Sequence, residues 1–188
     1  MRARMALKQA NIEVETREIS LRTKPSHMLQ MSPKGTVPVL VLPNNTVLEQ
    51  SLEIMYWALQ RQDIDCWLLA DAEFTQQLIT ENDHSFKQAL NHYKYPERCI
   101  EKRATDYRAE GEVFLQKLET LLIKFNYLLS EKISLADIAI FPFIRQFSAV
   151  DSSWFETAPY PELRAWLRGL VNSELFEEIM KKQPTYIE

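Results

Sequence analysis

Short apolar runs alternate with helical stretches up to about residue 62, and beyond it almost every apolar position recurs at helical spacing. Met1 and Met5, with Ala3 and Leu7, fall on one helical face, and Asn11 is a natural stop. Residues 12–19 then alternate. Ile12, Val14 and Thr16 point one way and Glu13, Glu15 and Arg17 the other, which predicts a half-buried strand. The segment PSHMLQMSPKG reads as a short helix or irregular turn closed by Pro33 and Gly35. VPVLVL at 37–42 is continuously apolar and predicts a strand covered on both faces. The PNNT turn and a short strand over 47–49 make it one arm of a hairpin. Ser51 then caps a helix carrying Leu52, Met55, Tyr56 and Leu59 on one face.

From about residue 71 the pattern predicts a long helix to Tyr95, broken at Pro96. A second follows to about Phe125, with Phe114, Leu118, Leu121 and Leu122 inward. In ISLADIAIFPFIRQF, Ser134 and Asp137 have the spacing of an acidic capping box, and Ile133 and Ile138 occupy the staple positions around it. Pro142 is expected to kink that helix. Pro161 suits a first helical turn, and SELFEEIMKK closes the chain as a short helix behind Ser173. The division falls at 1–61 and 62–188: a mixed α/β part, then an all-helical part.

Composition narrows the class. With 46% hydrophobic and 26% charged residues, a packed core is expected. A net charge of −4 argues against nucleic acid as a partner, because phosphate binding needs a basic surface. No apolar run approaches the roughly 20 residues of a membrane span, and the first residues lack a signal-peptide pattern. Cys66 and Cys99 have no metal-ligand spacing to His27, His84 or His92, so no metal is expected and a reducing cytoplasm is. Three glycines leave no Gly-rich phosphate loop.

Three features could carry chemistry. Pro38 opens an apolar strand, where its missing N–H is tolerated. If the Val37–Pro38 bond is cis, the Val37 backbone turns outward, ready to pair with an extended peptide-like ligand; base rates alone favour trans. Gln50 and Ser51 stand at a helix start, where free N–H groups and a partial positive charge suit a carboxylate. Lys24, with Lys34 as runner-up, could meet a second carboxylate.

Together these resemble a known pattern. TKPSHMLQMSPKGTVPVLVLPNNTVLEQSLEI is similar to the thioredoxin-like domain of the glutathione transferase superfamily, with its N/S-P-x-G-x-V-P turn and its E/Q-S pair opening a helix. The KP ahead of the turn is shared with omega-like and related bacterial members, and SLADIAIFP resembles the capping-box helix of the family's all-helical domain. The resemblance implies an α/β thioredoxin-like domain followed by an all-α helical bundle. It implies glutathione as substrate, with Val37 pairing the cysteinyl backbone through a cis Pro38. Gln50 and Ser51 would hold the γ-glutamyl end, and Lys24 would face the glycyl carboxylate. It further implies a homodimer and a small electrophile bound near His92, Tyr93 and Tyr95. The reaction would be thiolate transfer to that electrophile, for detoxification, or reduction of a mixed disulfide. A non-catalytic interaction module and an inactive fragment are the alternatives. Trp57, Trp67, Trp154 and Trp166 read as packing residues.

One departure stands out. The family's activating Ser, Tyr or Cys precedes the stretch that MRARMAL matches, so no catalytic residue is assigned, and Cys66 and Cys99 are poor substitutes. The family's first strand also belongs ahead of residue 1, between the strands expected at 12–19 and 37–42. The expectation is a natural protein about 10–20 residues longer upstream, from ordinary strand and loop lengths.

Overall fold

The computed structural model describes residues 1–98 and 101–187. Cys99 lies outside the described residues. The chain forms two compact units, one from Met1–Asp65 together with the chain from Glu174 onward, the other from Cys66–Ser173.

The first unit is built on α1 (Arg2–Gln9), α2 (Ser26–Met31), β1 (Leu40–Val41), β2 (Val47–Leu48), α3 (Ser51–Leu59) and, far along the chain, α10 (Glu174–Ile179). Helix α1 packs on α3 and α10. Met5 and Ala6 meet a core that includes Ile54, Met55 and Ala58, all essentially inaccessible. Asn11 ends α1 in the left-handed region (φ 50°). Its N–H donates to the Lys8 carbonyl and that of Ile12 to the Leu7 carbonyl, which satisfies the helix's last carbonyls. The ion pairs Arg4–Glu18 and Lys8–Glu178 fasten α1 to the following segment and to α10.

Two strand expectations need correction. Residues 12–19 form no strand and the face expected inward is not buried, Val14 being 40% exposed; among the described residues their only ladder contact is a parallel bridge from Glu18 to Thr185. Side-chain alternation supplies a face but not a partner, and among the described residues none pairs with Ile12–Arg17. The hairpin is present and antiparallel, with Leu40 opposite Leu48 and Val41 opposite Val47. Its ladder is shorter than 37–42, and it is not covered on both faces: Val37 is 50% and Val41 45% exposed. Asn45 turns it in the left-handed region (φ 65°), where a short polar side chain is tolerated.

The second unit contains α4 (Ala72–Glu81), α5 (Lys87–Lys94), α6 (Ala104–Leu122), α7 (Leu135–Ser148), α8 (Ser152–Thr157) and α9 (Pro161–Val171). The long helix expected from 71 to 95 is one helical run with a π turn at Asn82–Phe86 between α4 and α5. Helix α6 stops at Leu122, short of Phe125. Phe147, wholly buried, stacks against Phe86 (5.3 Å) and Tyr93 (5.0 Å) at the centre of this unit. Gly111 of α6 lets it in: a Cβ there would stand 2.4 Å from the Phe147 ring. The capping box forms as expected, with the Ser134 N–H (2.8 Å) and hydroxyl (2.6 Å) donating to Asp137. Pro142 lies inside α7 and Pro161 opens α9. The α9 N-terminus is held by buried Glu119, whose carboxylate accepts the N–H groups of Glu162 (3.1 Å) and Leu163 (2.8 Å). No described helix is long and apolar enough to cross a membrane.

Candidate functional site

The hairpin register gathers the predicted residues. Because the ladder is antiparallel, with Leu40 opposite Leu48, the residues before Leu40 and those after Leu48 leave it at the same end. The entry to β1 and the exit from β2 therefore share one end, and α3 starts there.

The turn that delivers Val37 is fixed from both sides. Gly35 adopts φ 60°, and its N–H donates to the Ser32 carbonyl at 2.9 Å. A non-glycine residue there would be strained. Buried Ser32 donates its hydroxyl to Glu49 at 2.5 Å, and the Lys34 ammonium meets the other Glu49 oxygen at 3.0 Å. Glu49 thus clamps the SPKG turn to the end of β2. The Ser32 hydroxyl bond, and then Lys34, hold its carboxyl below the usual glutamate value. Sequence reasoning missed Glu49, because nothing in a one-dimensional pattern pairs it with positions 32 and 34. Lys34, the runner-up, is engaged with Glu49.

Lys24 stands beside the same turn. Its Nζ lies 3.3 Å from where a Cβ on Gly35 would sit, directly beside the turn. Among the described residues no carboxylate pairs with it. The Val37–Pro38 peptide bond is cis. Val37 is half exposed, and no described backbone group bonds to its N–H or C=O.

At the start of α3 the assignment shifts by one residue. Gln50 is the N-cap, in extended conformation, and Ser51 is the first helical residue rather than the cap. Glu53, in the first turn, accepts the Gln50 N–H at 3.2 Å. The Ser51 and Leu52 N–H groups remain at the open end of the helix, where partial positive charge collects. One end of the hairpin therefore presents a cation, an unpaired backbone edge, and a helix N-terminus flanked by an amide and a hydroxyl. That set suits a ligand with two carboxylates joined by peptide bonds.

The residues expected near a second substrate divide. Tyr93 is a core residue against Phe147. His92 lies edge-on to the Tyr107 ring at 4.8 Å, and Tyr95 is covered by Arg98, whose guanidinium is 4.2 Å from the ring centre. Cys66 is exposed, in the left-handed region (φ 59°) at the start of the second unit. Among the described residues no group of His, Cys, Asp and Glu could hold a metal ion.

Residues 1–61 match the glutathione S-transferase N-terminal domain family and residues 103–169 the C-terminal domain family. The chain belongs to the glutathione transferase superfamily. It is 26% identical to "Glutathione S-transferase U19" of Arabidopsis thaliana, over 93% of this chain and 81% of that protein. Two solved structures share the fold. A class Gtt2 glutathione S-transferase of Vibrio parahaemolyticus superposes with a TM-score of 0.76 at 22% identity, over 94% of this chain and 89% of the other. A family member from Pseudomonas fluorescens, solved with two glutathione molecules bound, gives 0.78 at 18% identity, over 94% and 86%. The superfamily assignment makes the N-terminal part a thioredoxin-like domain and the C-terminal part a helical domain, as the sequence resemblance implied.

Proposed function

We propose that this glutathione transferase superfamily protein binds glutathione at the hairpin end of its first unit and presents the thiolate for transfer to a small electrophile, or for reduction of a mixed disulfide. The observation that carries the reading is the convergence of Lys24, Val37, Gln50 and Ser51 on one end of a single hairpin. The chemistry of each group matches one part of the tripeptide. The γ-glutamyl carboxylate meets the α3 N-terminus, the Ser51 hydroxyl and the Gln50 amide. The cysteinyl amide and carbonyl pair with the open Val37 backbone, as an added strand pairs with a sheet edge. The glycyl carboxylate meets Lys24, with its neighbour Lys34 kept back by Glu49. The bound Pseudomonas fluorescens relative supports glutathione as the ligand. These residues bind and orient; the group that activates the thiol is unassigned. Family resemblance supports a cytoplasmic homodimer as the working form.

Calorimetric titration with glutathione tests the site. Lys24→Ala and Ser51→Ala should each weaken binding by about 1–3 kcal/mol, the range for a hydrogen bond lost to a charged group. Unchanged affinity in both variants refutes the assignment. Turnover of a chlorinated aromatic against that of a mixed disulfide then separates the two reactions.

A further inference from the structure

The second unit holds a cavity of about 610 Å³ where the end of α7 meets α8 and α9. That volume lies in the range of small-molecule sites, roughly 300–1,000 Å³. Its lining does not match the charge of the whole chain. The protein is net negative, yet Lys94, Arg145, Arg164 and Arg168 line this cavity against a single carboxylate, Glu156. Buried Phe155 and Leu167 give it an apolar wall.

Local structure explains why two of the cations are held in place. The Arg164 guanidinium donates to the carbonyls of Phe155 (3.3 Å) and Ala158 at the end of α8. Lys94 donates to the Gln146 side-chain oxygen at 3.3 Å. These acceptors are neutral, so both charges persist at the cavity wall. Arg168 follows Arg164 by four residues on α9, which sets two guanidinium groups on one helical face, a disfavoured pairing without an anion between them. Several cations opposite one carboxylate suit a head group with more than one negative charge. Arginine forks match phosphate oxygens in pairs. The cavity is far larger than a bare ion requires, and its apolar wall calls for a ligand with an apolar body.

We propose that this cavity binds a small organic phosphate, its phosphoryl group held by Lys94 and Arg168 and its apolar body against Phe155 and Leu167. The site is independent of the glutathione reading, since every lining residue belongs to the second unit.

The test is calorimetric titration of the full chain with phenyl phosphate, inorganic phosphate and phenol. Phenyl phosphate should bind saturably at one site, more tightly than inorganic phosphate or phenol, and more weakly as sodium chloride is added. Arg168→Gln and Lys94→Gln, both at exposed positions, should each weaken it about tenfold or more. Glutathione affinity and the thermal midpoint of both variants should stay at the wild-type values. Failure of phenyl phosphate to saturate overturns the proposal. So does unchanged phenyl phosphate affinity in both variants, or equal affinity for phenol.

Discussion

Replacing Asp137 by alanine should bring the protein to the edge of unfolding. The side chain is wholly buried and accepts four hydrogen bonds. The donors are the Leu128 N–H (2.9 Å), the Ser134 N–H (2.8 Å), the Ser134 hydroxyl (2.6 Å) and the Trp166 indole N–H (2.8 Å). One carboxylate therefore joins the segment before α7, the first turn of α7 and the middle of α9. The hydroxyl can rotate to another acceptor, but the three N–H groups cannot. Each buried donor left without a partner costs about 1–3 kcal/mol, so alanine should cost about 3–9 kcal/mol, against a typical total of about 5–15 kcal/mol. Asp137→Asn keeps one acceptor oxygen and turns an amide toward the remaining donors, so it should fall between wild type and alanine.

Urea unfolding followed by tryptophan fluorescence and far-UV circular dichroism gives the difference. A loss below about 2 kcal/mol for Asp137→Ala would refute the accounting of orphaned donors. Titration adds a second check. Burial pushes the Asp137 carboxyl above its ordinary 3.8, against the pull of its four donors. The folded state then holds the proton more tightly than the unfolded chain does. This group's contribution is fully present below pH 3.8 and is lost as pH rises through the higher folded value. Asparagine cannot titrate, so the stability difference between wild type and Asp137→Asn should shrink with rising pH across that window and then level.

Gly111→Ala should destabilise by about 1–3 kcal/mol from overpacking, because Phe147 is ringed by Phe86, Tyr93 and Trp154 and has no room to yield; a gain of about 1 kcal/mol, the helix-propensity value alone, would contradict it. Glu119→Ala orphans the N–H groups of Glu162 and Leu163 and should cost about 2–6 kcal/mol by urea unfolding, whereas Glu119→Gln, which keeps an acceptor, should recover part of it. Glu49→Gln should remove an acid-sensitive contribution. The Glu49 carboxyl is held low, so its stabilisation is present above about pH 4.5 and lost as pH falls through the depressed folded value. Thermal midpoints of wild type and Glu49→Gln should therefore converge at low pH, and a gap that is constant with pH would count against the Ser32–Glu49–Lys34 clamp.

Much of the fold was legible because helical patterning reports burial directly. The inward Phe114, Leu118 and Leu122 of α6 (Leu121, also expected inward, is only half-buried), the capping box at Ser134 and the stop at Asn11 each depend on residues within a turn or two. The hairpin was legible for the same reason. What escaped was set by long-range pairing. Trp166 reads as a packing residue in sequence, yet its N–H completes the Asp137 network 29 residues away. The π turn at Asn82–Phe86 leaves no mark in the apolar period that distinguishes it from plain helix.

The candidate site divides along the same line, and the division explains where its precision comes from. Val37, Pro38, Gln50 and Ser51 could be named from local motifs because they flank one short antiparallel hairpin on the same side of its ladder. The choice between Lys24 and Lys34 could not be made that way, since both lie near the same turn and carry the same charge. Glu49 decides it. By accepting from Ser32 and pairing with Lys34, it anchors the turn to the end of β2 and occupies one of the two cations. Lys24 stays beside Gly35, its ammonium 3.3 Å and its stem 3.5 Å from where a Cβ on that residue would stand. The segment 12–18 shows the converse case. Its sequence alternates apolar and polar residues, but a strand is a relation between two segments, and among the described residues only Glu18 has a ladder partner. Periodicity identifies a face that can be buried; contacts such as Ser32–Glu49 and Glu18–Thr185 determine what it meets.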